Sequence, residues 1–386
     1  MSHGKAHEKV LILGAGIGGL ATAIALSNAG YETTVIEVQP TLHSSVYGVG
    51  IIQAPNQLRA LDAIGCARQC IEQGYPAENM NRMYDREGNL VRTVPGPRIP
   101  GFDFPAMNGI TRPRLHTILA DKAIEAGATV EYDKTITEVK QYDDRVEVGL
   151  TDGTTRTVDL LVGADGVRSV VRNLVFDTVY EPRYTGKSVL RINIPRLPEM
   201  DAIVRQEGRN QRGDRVGVGM VPLSEDIGYL FVNIVWDRTV RPSRDELREL
   251  LKQELAGFGG PAGVVRDHYI DTDEDIVLRP EEWLLAPAPW HNGRVVLIGD
   301  AAHAVTPNTA QGAAQAIEDG IVLTECLTGG DPLEQALTAY TERRYERCKL
   351  VVDYGYKARQ WEFHPTPDFD PQEMGIRMRQ SLIEPI

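Results

Sequence analysis

The sequence predicts an α/β fold. A mostly parallel, helix-covered sheet is interrupted by an inserted, mainly antiparallel sheet and is followed by a long helix toward the C-terminal end. Three observations carry this. Residues 10–13, 160–163 and 294–298 are short apolar runs at or next to glycine, the character of strands buried on both faces. Between the last two of these, residues 184–237 alternate apolar and polar side chains, as strands do when one face is buried. The doubly buried type returns only after that stretch, so the first domain is discontinuous. Its segments are 1–75, 108–180 and 285–365; the inserted domain takes 76–107 and 181–284, and 366–386 forms a tail.

The bulk numbers agree. A chain of 386 residues is about two domains at roughly 150 residues each. Its net charge of −13 argues against nucleic acid as a partner, because phosphates need a basic footprint. The polar start lacks a signal peptide's apolar stretch, and no apolar run approaches the ~18 residues of a membrane span; a cytoplasmic monomer or homodimer is expected. Cys66, Cys70, Cys326 and Cys348 have no histidine or cysteine cluster at zinc spacing around them, so they read as buried free thiols and no metal is expected.

Taken in order, 10–13 is a strand, 18–30 a helix stopped by Gly30, and 33–36 a second strand closed by Glu37. Residues 112–126 form a helix with Leu115, Leu119 and Ile124 as its buried side chains. Residues 129–143 and 145–150 are strands joined at Asp143-Asp144, and Asp152-Gly153 marks a further hairpin. In the insert, 188–194, 215–221 and 228–235 are strands and 243–255 a helix. Residues 309–327 and 334–357 are helices, the second amphipathic. The Pro- and Asp-rich tail beyond residue 363 reads as a surface wrap.

Gly14-Ala15-Gly16-Ile17-Gly18-Gly19 follows a strand and opens a helix. In a G-x-G-x-x-G loop the first glycine permits the turn, the second lets a pyrophosphate approach the backbone, and the third lets helix and strand pack closely. The helix N-terminus then offers free N–H groups to the phosphates. Glu37, about 20 residues on, is placed to accept ribose hydroxyls. This is a Rossmann-type unit, and by itself it does not separate NAD from FAD.

Three later segments go further. Leu161-Val-Gly-Ala-Asp165-Gly166 ends a strand in Asp-Gly. Gly299-Asp300 ends another, and the segment after it runs through His303, Pro307 and Gln311-Gly312. Arg112-Pro-Arg-Leu115 opens a helix. In these motifs, their order and their spacing, the chain resembles the FAD-dependent aromatic hydroxylases, the single-component flavoprotein monooxygenases that include para-hydroxybenzoate and salicylate hydroxylases. The resemblance runs from about Lys9 to Arg347.

It implies noncovalent FAD in the discontinuous domain and NADH or NADPH as a transient co-substrate. It also implies one oxygen atom from O2 delivered to a small electron-rich aromatic or heteroaromatic substrate through a flavin C4a-hydroperoxide. By position, Gly14, Gly16, Gly19 and Glu37 would hold the adenosine half, Ile136 the adenine by its backbone, and Asp165 and Gly166 the pyrophosphate region. Gly299 and Asp300 would meet the ribityl chain and Arg112 the ribityl-phosphate. Gln311, Gly312 and Ala313 would underlie the flavin pyrimidine as a helix N-terminus, and Pro307 would lie at the reacting edge. The inserted sheet would supply the substrate pocket, with Tyr229 and Arg191 orienting the ring and Met220, Val218 and Phe231 keeping it dry; Asn308 is a further candidate. His303 reads as structural. One departure is Ala310, where the family carries glycine; alanine is restricted there if the backbone needs positive φ. A reductase of the geranylgeranyl type and a non-catalytic FAD-binding protein are the alternatives.

Overall fold

A computed structural model describes residues 8–42, 44, 50–176 and 180–386; the first seven residues of the polar start lie outside them. A six-stranded sheet, parallel except at its His291–Asn292 edge, has the strand order His291–Asn292, Val295–Leu297, Leu160–Gly163, Lys9–Leu13, Glu32–Ile36 and Thr129–Glu131. Val10, Leu11 and Ile12 are almost wholly buried between layers, which is why this strand is a continuous apolar run. From Lys9–Leu13 the chain moves outward to one side of the sheet and later returns on the other. The strand order therefore reverses at Lys9–Leu13, and a crevice opens beyond the carboxyl ends of the strands there.

Two helices cross close together beside that crevice. A Cβ on Gly18, in the helix Ile17–Asn28, would lie 3.0 Å from Ala316 Cβ in the helix Gly312–Thr328. One on Gly320 would lie 2.5 Å from Thr22 Oγ1. Small residues thus set the approach, and both helices bring their N-termini to the same edge of the sheet.

The helix Arg112–Glu125 is started by Thr111, whose side chain accepts from Arg114 N. Leu115 and Leu119 are buried, but Ile124 is 58% exposed. Nine residues beyond Leu115 at 3.6 per turn is half a turn round, so Ile118 and Ala123 take the inner face instead. The expected strand over 129–143 is two strands, Thr129–Glu131 and Ile136–Gln141. Asp133, at φ 59°, lies between them, where the chain leaves the parallel sheet for an antiparallel meander with Val146–Leu150 and Thr155–Val158.

Segments 79–95 and 183–283 supply a seven-stranded sheet, in the order Val277–Trp283, Arg183–Pro195, Ile227–Val235, Arg215–Pro222, Ile203–Arg209, Asn79–Tyr84 and Leu90–Pro95. It is antiparallel except where Ile203–Arg209 meets Asn79–Tyr84. One face packs Leu190, Val218, Met220, Leu230 and Val232 against Leu251, Leu255 and Val265 of the helices Arg244–Glu254 and Gly260–His268. The other presents Tyr229, Phe231, Ile203 and Val221. Met220 pairs with Leu230 and Gly219 with Phe231. Met220 and Val218 therefore belong to the rear core and do not wall the pocket, because the strand's phase is set by its pairing and not by its composition.

The long helix runs Leu333–Phe363, and the tail forms a further helix, Pro371–Ile383. Asp370 caps it through Gln372 N and Glu373 N, and Pro371 opens it. Asp and Pro here are helix-start residues, not signs of a loose wrap. Met378 and Leu382 are buried against Val351. All four cysteines are free and buried; burial pushes the thiol pKa of Cys66 up to about 11 and that of Cys70 to about 12. Among the described residues no helix is long and apolar enough to cross a membrane.

Candidate active site

The glycine loop sits at the reversal point. Gly14 has φ +105°, and a Cβ there would lie 2.5 Å from Ala164 O, so glycine is needed for the turn and for the passage of the neighbouring chain. A Cβ on Gly19 would lie 1.9 Å from Gly14 O. Gly16 is different: nothing lies within 4 Å of its Cβ position. Its missing side chain leaves room for something that is not protein.

Glu37 ends the adjacent strand. Its carboxylate accepts from Ala15 N at 2.8 Å and Gln39 N at 3.0 Å, so it fixes the glycine loop and retains acceptor capacity. Glu37 also bonds through its backbone to Glu131 and Lys134, bringing the 131–136 segment beside it; Ile136 starts the next strand with its side chain in the core. On the opposite side, Asp165 accepts from Val170 N at 2.6 Å and Val171 N at 3.1 Å. Its carboxylate caps the short helix Val170–Val175, and the loop's open face is Gly166, at φ +82° with nothing near its Cβ position.

Gly299, at φ +56°, turns the chain from the strand Val295–Leu297 into Asp300. Gly312 stands beside it, its Cβ position 4.0 Å from Asp300 Oδ1. Asp300 is open to the groove yet enclosed on its other sides. That burial raises its pKa, while His303 and Arg112 pull it down and Asp319 adds to the rise. Pro307 is exposed at the rim, whereas the Asn308 amide is turned onto the long helix, donating to Gly355 O at 3.2 Å. Ala310 has φ 53° and ψ 28°, so the positive φ is required and alanine adopts it. Gln311 is buried and fixed by Asn56 Nδ2, which donates to its Oε1 at 2.9 Å. Ala313 follows in the first, half-buried turn.

Behind this edge lies a buried ionic network that sequence reading missed. Asp319 accepts from Gly299 N at 2.7 Å, from His303 Nε2 at 2.6 Å and from Arg344 Nε at 2.8 Å. Glu318 takes Arg344 Nη1 at 2.8 Å and Arg347 Nε at 2.9 Å. Burial alone would raise the Asp319 carboxyl, but His303 and Arg344 hold it down at about 2. Burial alone would lower His303, but Asp319 overrides it and holds the imidazole well above its ordinary pKa. Cys348 completes a His303–Asp319–Cys348 group. Arg344 Nη2 lies 3.5 Å from the thiol, so a guanidinium already supplies the positive charge.

The wall facing the groove is the inserted sheet. Tyr229 is buried and tilted on Phe231 with ring centroids 5.8 Å apart. Gly50 lies against the Tyr229 ring, 2.6 Å from Cε1 at its Cβ position. Burial raises the phenol's pKa, opposed by Arg191 and Arg205. The strand Met107–Thr111, which leads into the exposed Arg112, lies against the inserted sheet, where a Cβ on Gly109 would stand 1.8 Å from Pro222 O; the Arg112 charge helps to lower the pKa of Asp300 and of Arg191.

FAD fits this floor. The helices Ile17–Asn28 and Gly312–Thr328 start at Gly16 and Gln311 with no side-chain cap. Two uncapped N-termini side by side leave their N–H groups for anionic and carbonyl acceptors. Open space at Gly16 and Gly166 and free capacity on Glu37 suit a dinucleotide.

Fold and floor thus define an FAD-dependent enzyme. The family model described as "FAD binding domain" matches residues 7–354. YetM of Bacillus subtilis (strain 168) is 33% identical over 352 residues, 89% of this chain and 91% of that protein. 3-Hydroxybenzoate 6-hydroxylase 1 of Aquipseudomonas alcaligenes is 31% identical over 378 residues, 93% of this chain and 90% of that one. The crystal structure of Klebsiella pneumoniae HpxO with FAD and uric acid has the same fold, with TM-score 0.79 and 23% identity, covering 97% of this chain and 92% of that one. The chain belongs to the FAD-dependent aromatic hydroxylase family and is a flavoprotein monooxygenase.

Proposed function

We propose that this monooxygenase draws electrons from NADH or NADPH and places one atom of O2 on a small electron-rich aromatic or heteroaromatic ring held between the Pro307 loop and the inserted sheet. The observation that carries it is the Tyr229–Phe231 pair on the inserted sheet, with Arg191 paired to Phe231 on the neighbouring strand. Two aromatic rings beside a cation suit a flat, polar-edged ligand.

When bound, FAD supplies the electron relay and the activation of O2. The chain's part is binding, orientation and exclusion of water. Gly14, Gly16 and Gly19 seat the pyrophosphate, Glu37 the adenosine ribose and Ile136 the adenine. Asp165-Gly166 flank the pyrophosphate, Gly299-Asp300 the ribityl chain and Arg112 its phosphate. Gln311, Gly312 and Ala313 direct a positive helix end at the pyrimidine edge and favour negative charge there. Tyr229 and Arg191 orient the substrate, and Pro307 closes its edge.

The test is NADH and NADPH consumption over phenols, hydroxybenzoates and N-heteroaromatics, with product mass. The expected product is heavier by one oxygen atom; substrate-stimulated turnover without that gain points to a reductase and sinks the reading. Tyr229→Phe and Arg191→Ala should keep NAD(P)H oxidation while sending a larger share of it to hydrogen peroxide, because a loosened pocket admits water. Unchanged product yield per NAD(P)H in both would remove these two residues from the site.

A further inference from the structure

A side-chain oxygen on the residue before a helix commonly accepts from the first free N–H groups of that helix. Gln311 occupies this place before the helix Gly312–Thr328 and does not cap it. Its amide is turned inward and buried, and charges of fixed sign hold it there.

Arg344 Nη1 and Arg347 Nε lie 2.8 Å and 2.9 Å from Glu318 Oε2. A carboxylate held by two guanidiniums offers acceptors only. The Asn56 atom 3.4 Å from Glu318 Oε1 is therefore its NH2 group. The same NH2 group lies 2.9 Å from the Gln311 amide, so the atom it meets there is the carbonyl oxygen. A second path starts from Arg344, which only donates. Arg344 Nη2 is 2.8 Å from Gln315 Oε1. The Gln315 atom 3.4 Å from Gln311 is then Nε2, and the Gln311 atom is again the oxygen. The other end of that amide, Nε2, faces Asn56 Oδ1 at 3.4 Å. Two separate chains of donors and acceptors thus impose one orientation on Gln311.

Asn56 belongs to the helix Pro55–Ala63 and is 4% exposed. Both ends of its amide are used on Gln311 and Glu318. The backbone N–H of Gln311 is taken by Thr309 Oγ1 at 3.3 Å. The N–H groups of Gly312 and Ala313 come next, and a helix offers its first N–H groups no partner of its own. Both residues are half-buried.

We propose that Asn56 is a positioning residue for the flavin: it holds the Gln311 amide oxygen off the helix N-terminus, so that the N–H groups of Gly312 and Ala313 stay open to the pyrimidine edge. This rests on the reading of that helix end as the flavin seat. Released from Asn56, the amide oxygen is free to turn back and cap its own helix, in competition with the ligand.

The test is titration of the FAD-stripped protein with FAD and with ADP, which shares the adenosine and pyrophosphate but has no flavin. The FAD-to-ADP affinity ratio isolates the flavin half, whereas damage to the fold or the glycine loop lowers both affinities. Asn56→Leu should lower the ratio about 3- to 10-fold, the worth of one neutral hydrogen bond, with ADP binding unchanged. Gln311→Met removes the competing oxygen, so the double variant Asn56→Leu/Gln311→Met should recover most of the ratio. A double variant that binds FAD better than the single one is an outcome that a merely structural asparagine does not give. Asn56→Ala carries the same expectations should Asn56→Leu not fold. Gly312→Val tests the seat itself. A Cβ there meets Val305 at 3.4 Å and Asp300 at 4.0 Å, both ordinary contacts, so the ligand and not the fold should suffer and the ratio should collapse. If Gly312→Val keeps the wild-type ratio, the reading of this helix end as the flavin seat fails. If Gly312→Val lowers the ratio and Asn56→Leu does not, the role of Asn56 alone fails. Equal losses for FAD and ADP in Asn56→Leu, or a double variant no better than the single one, overturn that role as well.

Discussion

Behind the edge formed by Gly299 and Gln311, Arg344 is met by Glu318, Asp319 and Gln315, all fully buried. In front of it, Arg191 and Arg205 stand on the sheet with no hydrogen-bonded partner among the described residues. The same residue type is saturated in one place and left open in the other. The saturated network ties the Gly299 turn and the Gln311 helix to the long helix and is part of the scaffold; the open one leaves its valence for what enters the groove. Cutting the first should cost folding, and cutting the second should cost binding.

The largest effect is therefore expected at Asp319. Asp319→Asn leaves Arg344 and His303 buried without their shared carboxylate, and breaking such a pair costs about 3–5 kcal/mol, read as a fall in the urea midpoint. The pH dependence sharpens this. The raised pKa of His303 makes its contribution complete below its unfolded value of about 6.5, and the contribution is lost as pH rises through the higher folded value. The lowered pKa of Asp319 makes its contribution complete above the unfolded carboxylate value and lost as pH falls through about 2. The gap between wild type and variant should be widest from weakly acidic pH to about 6.5 and should shrink toward alkaline pH. A gap constant from pH 5 to 10 would show that the pair is not ionic.

Glu37 stands between the two behaviours, because it both braces the glycine loop and keeps acceptor capacity for a ligand. Glu37→Ala should weaken FAD retention by roughly 10- to 100-fold, the worth of hydrogen bonds to a charged group, with a smaller loss of stability in the FAD-free protein. Full-strength FAD binding by this variant removes the ribose assignment.

The scaffold was far more legible in sequence than the wall. Glycine loops, strand-ending Asp-Gly and Gly-Asp pairs and doubly buried runs are local signals, and their positions at the strand ends follow from chain order alone. Wall residues depend on register. Met220 and Phe231 look alike in an alternating segment, and only the pairing of Gly219 with Phe231 separates rear from front. Arg205 gave no local sign, since its place on the sheet face follows from the register of three strand pairings and not from its neighbours in sequence. Asn56 and Arg344 were invisible for the same reason: their bonds to Gln311 and Asp319 span 255 and 25 residues. The C-terminal helix was legible in principle through Asp370-Pro371, which carries opposite meanings in a cap and in a loop.

A smaller effect is expected at the hinge between scaffold and groove. Ala310 holds a left-handed backbone, which costs an L-residue about 1 kcal/mol and glycine little. Ala310→Gly should raise the stability of the FAD-free protein by at most that amount, since glycine also gains entropy when unfolded. A clear destabilisation would mean that the alanine methyl makes a packing contact outweighing the strain.

The smallest effect on folding should come from the wall, and it decides the comparison most sharply. Among the described residues Arg205 makes no ion pair; it lies over the ring of Phe231, a contact worth about 0.5–1 kcal/mol at a partly exposed site. Against that stands the cost of holding a guanidinium close to Arg359 and partly out of water, a cost that burial and this like charge both express by lowering its pKa. Replacement by methionine keeps an apolar stem over Phe231 and removes the charge. Such exchanges of poorly compensated charge for hydrophobic volume are often neutral or stabilising. Arg205→Met should therefore unfold within about 0.5 kcal/mol of wild type, or later, in ligand-free urea titrations. The ligand-bound protein should lose the extra stability that substrate confers on the wild type. If the variant instead loses stability on the scale expected for Asp319→Asn, Arg205 belongs to the scaffold, and the division between saturated floor and open wall fails.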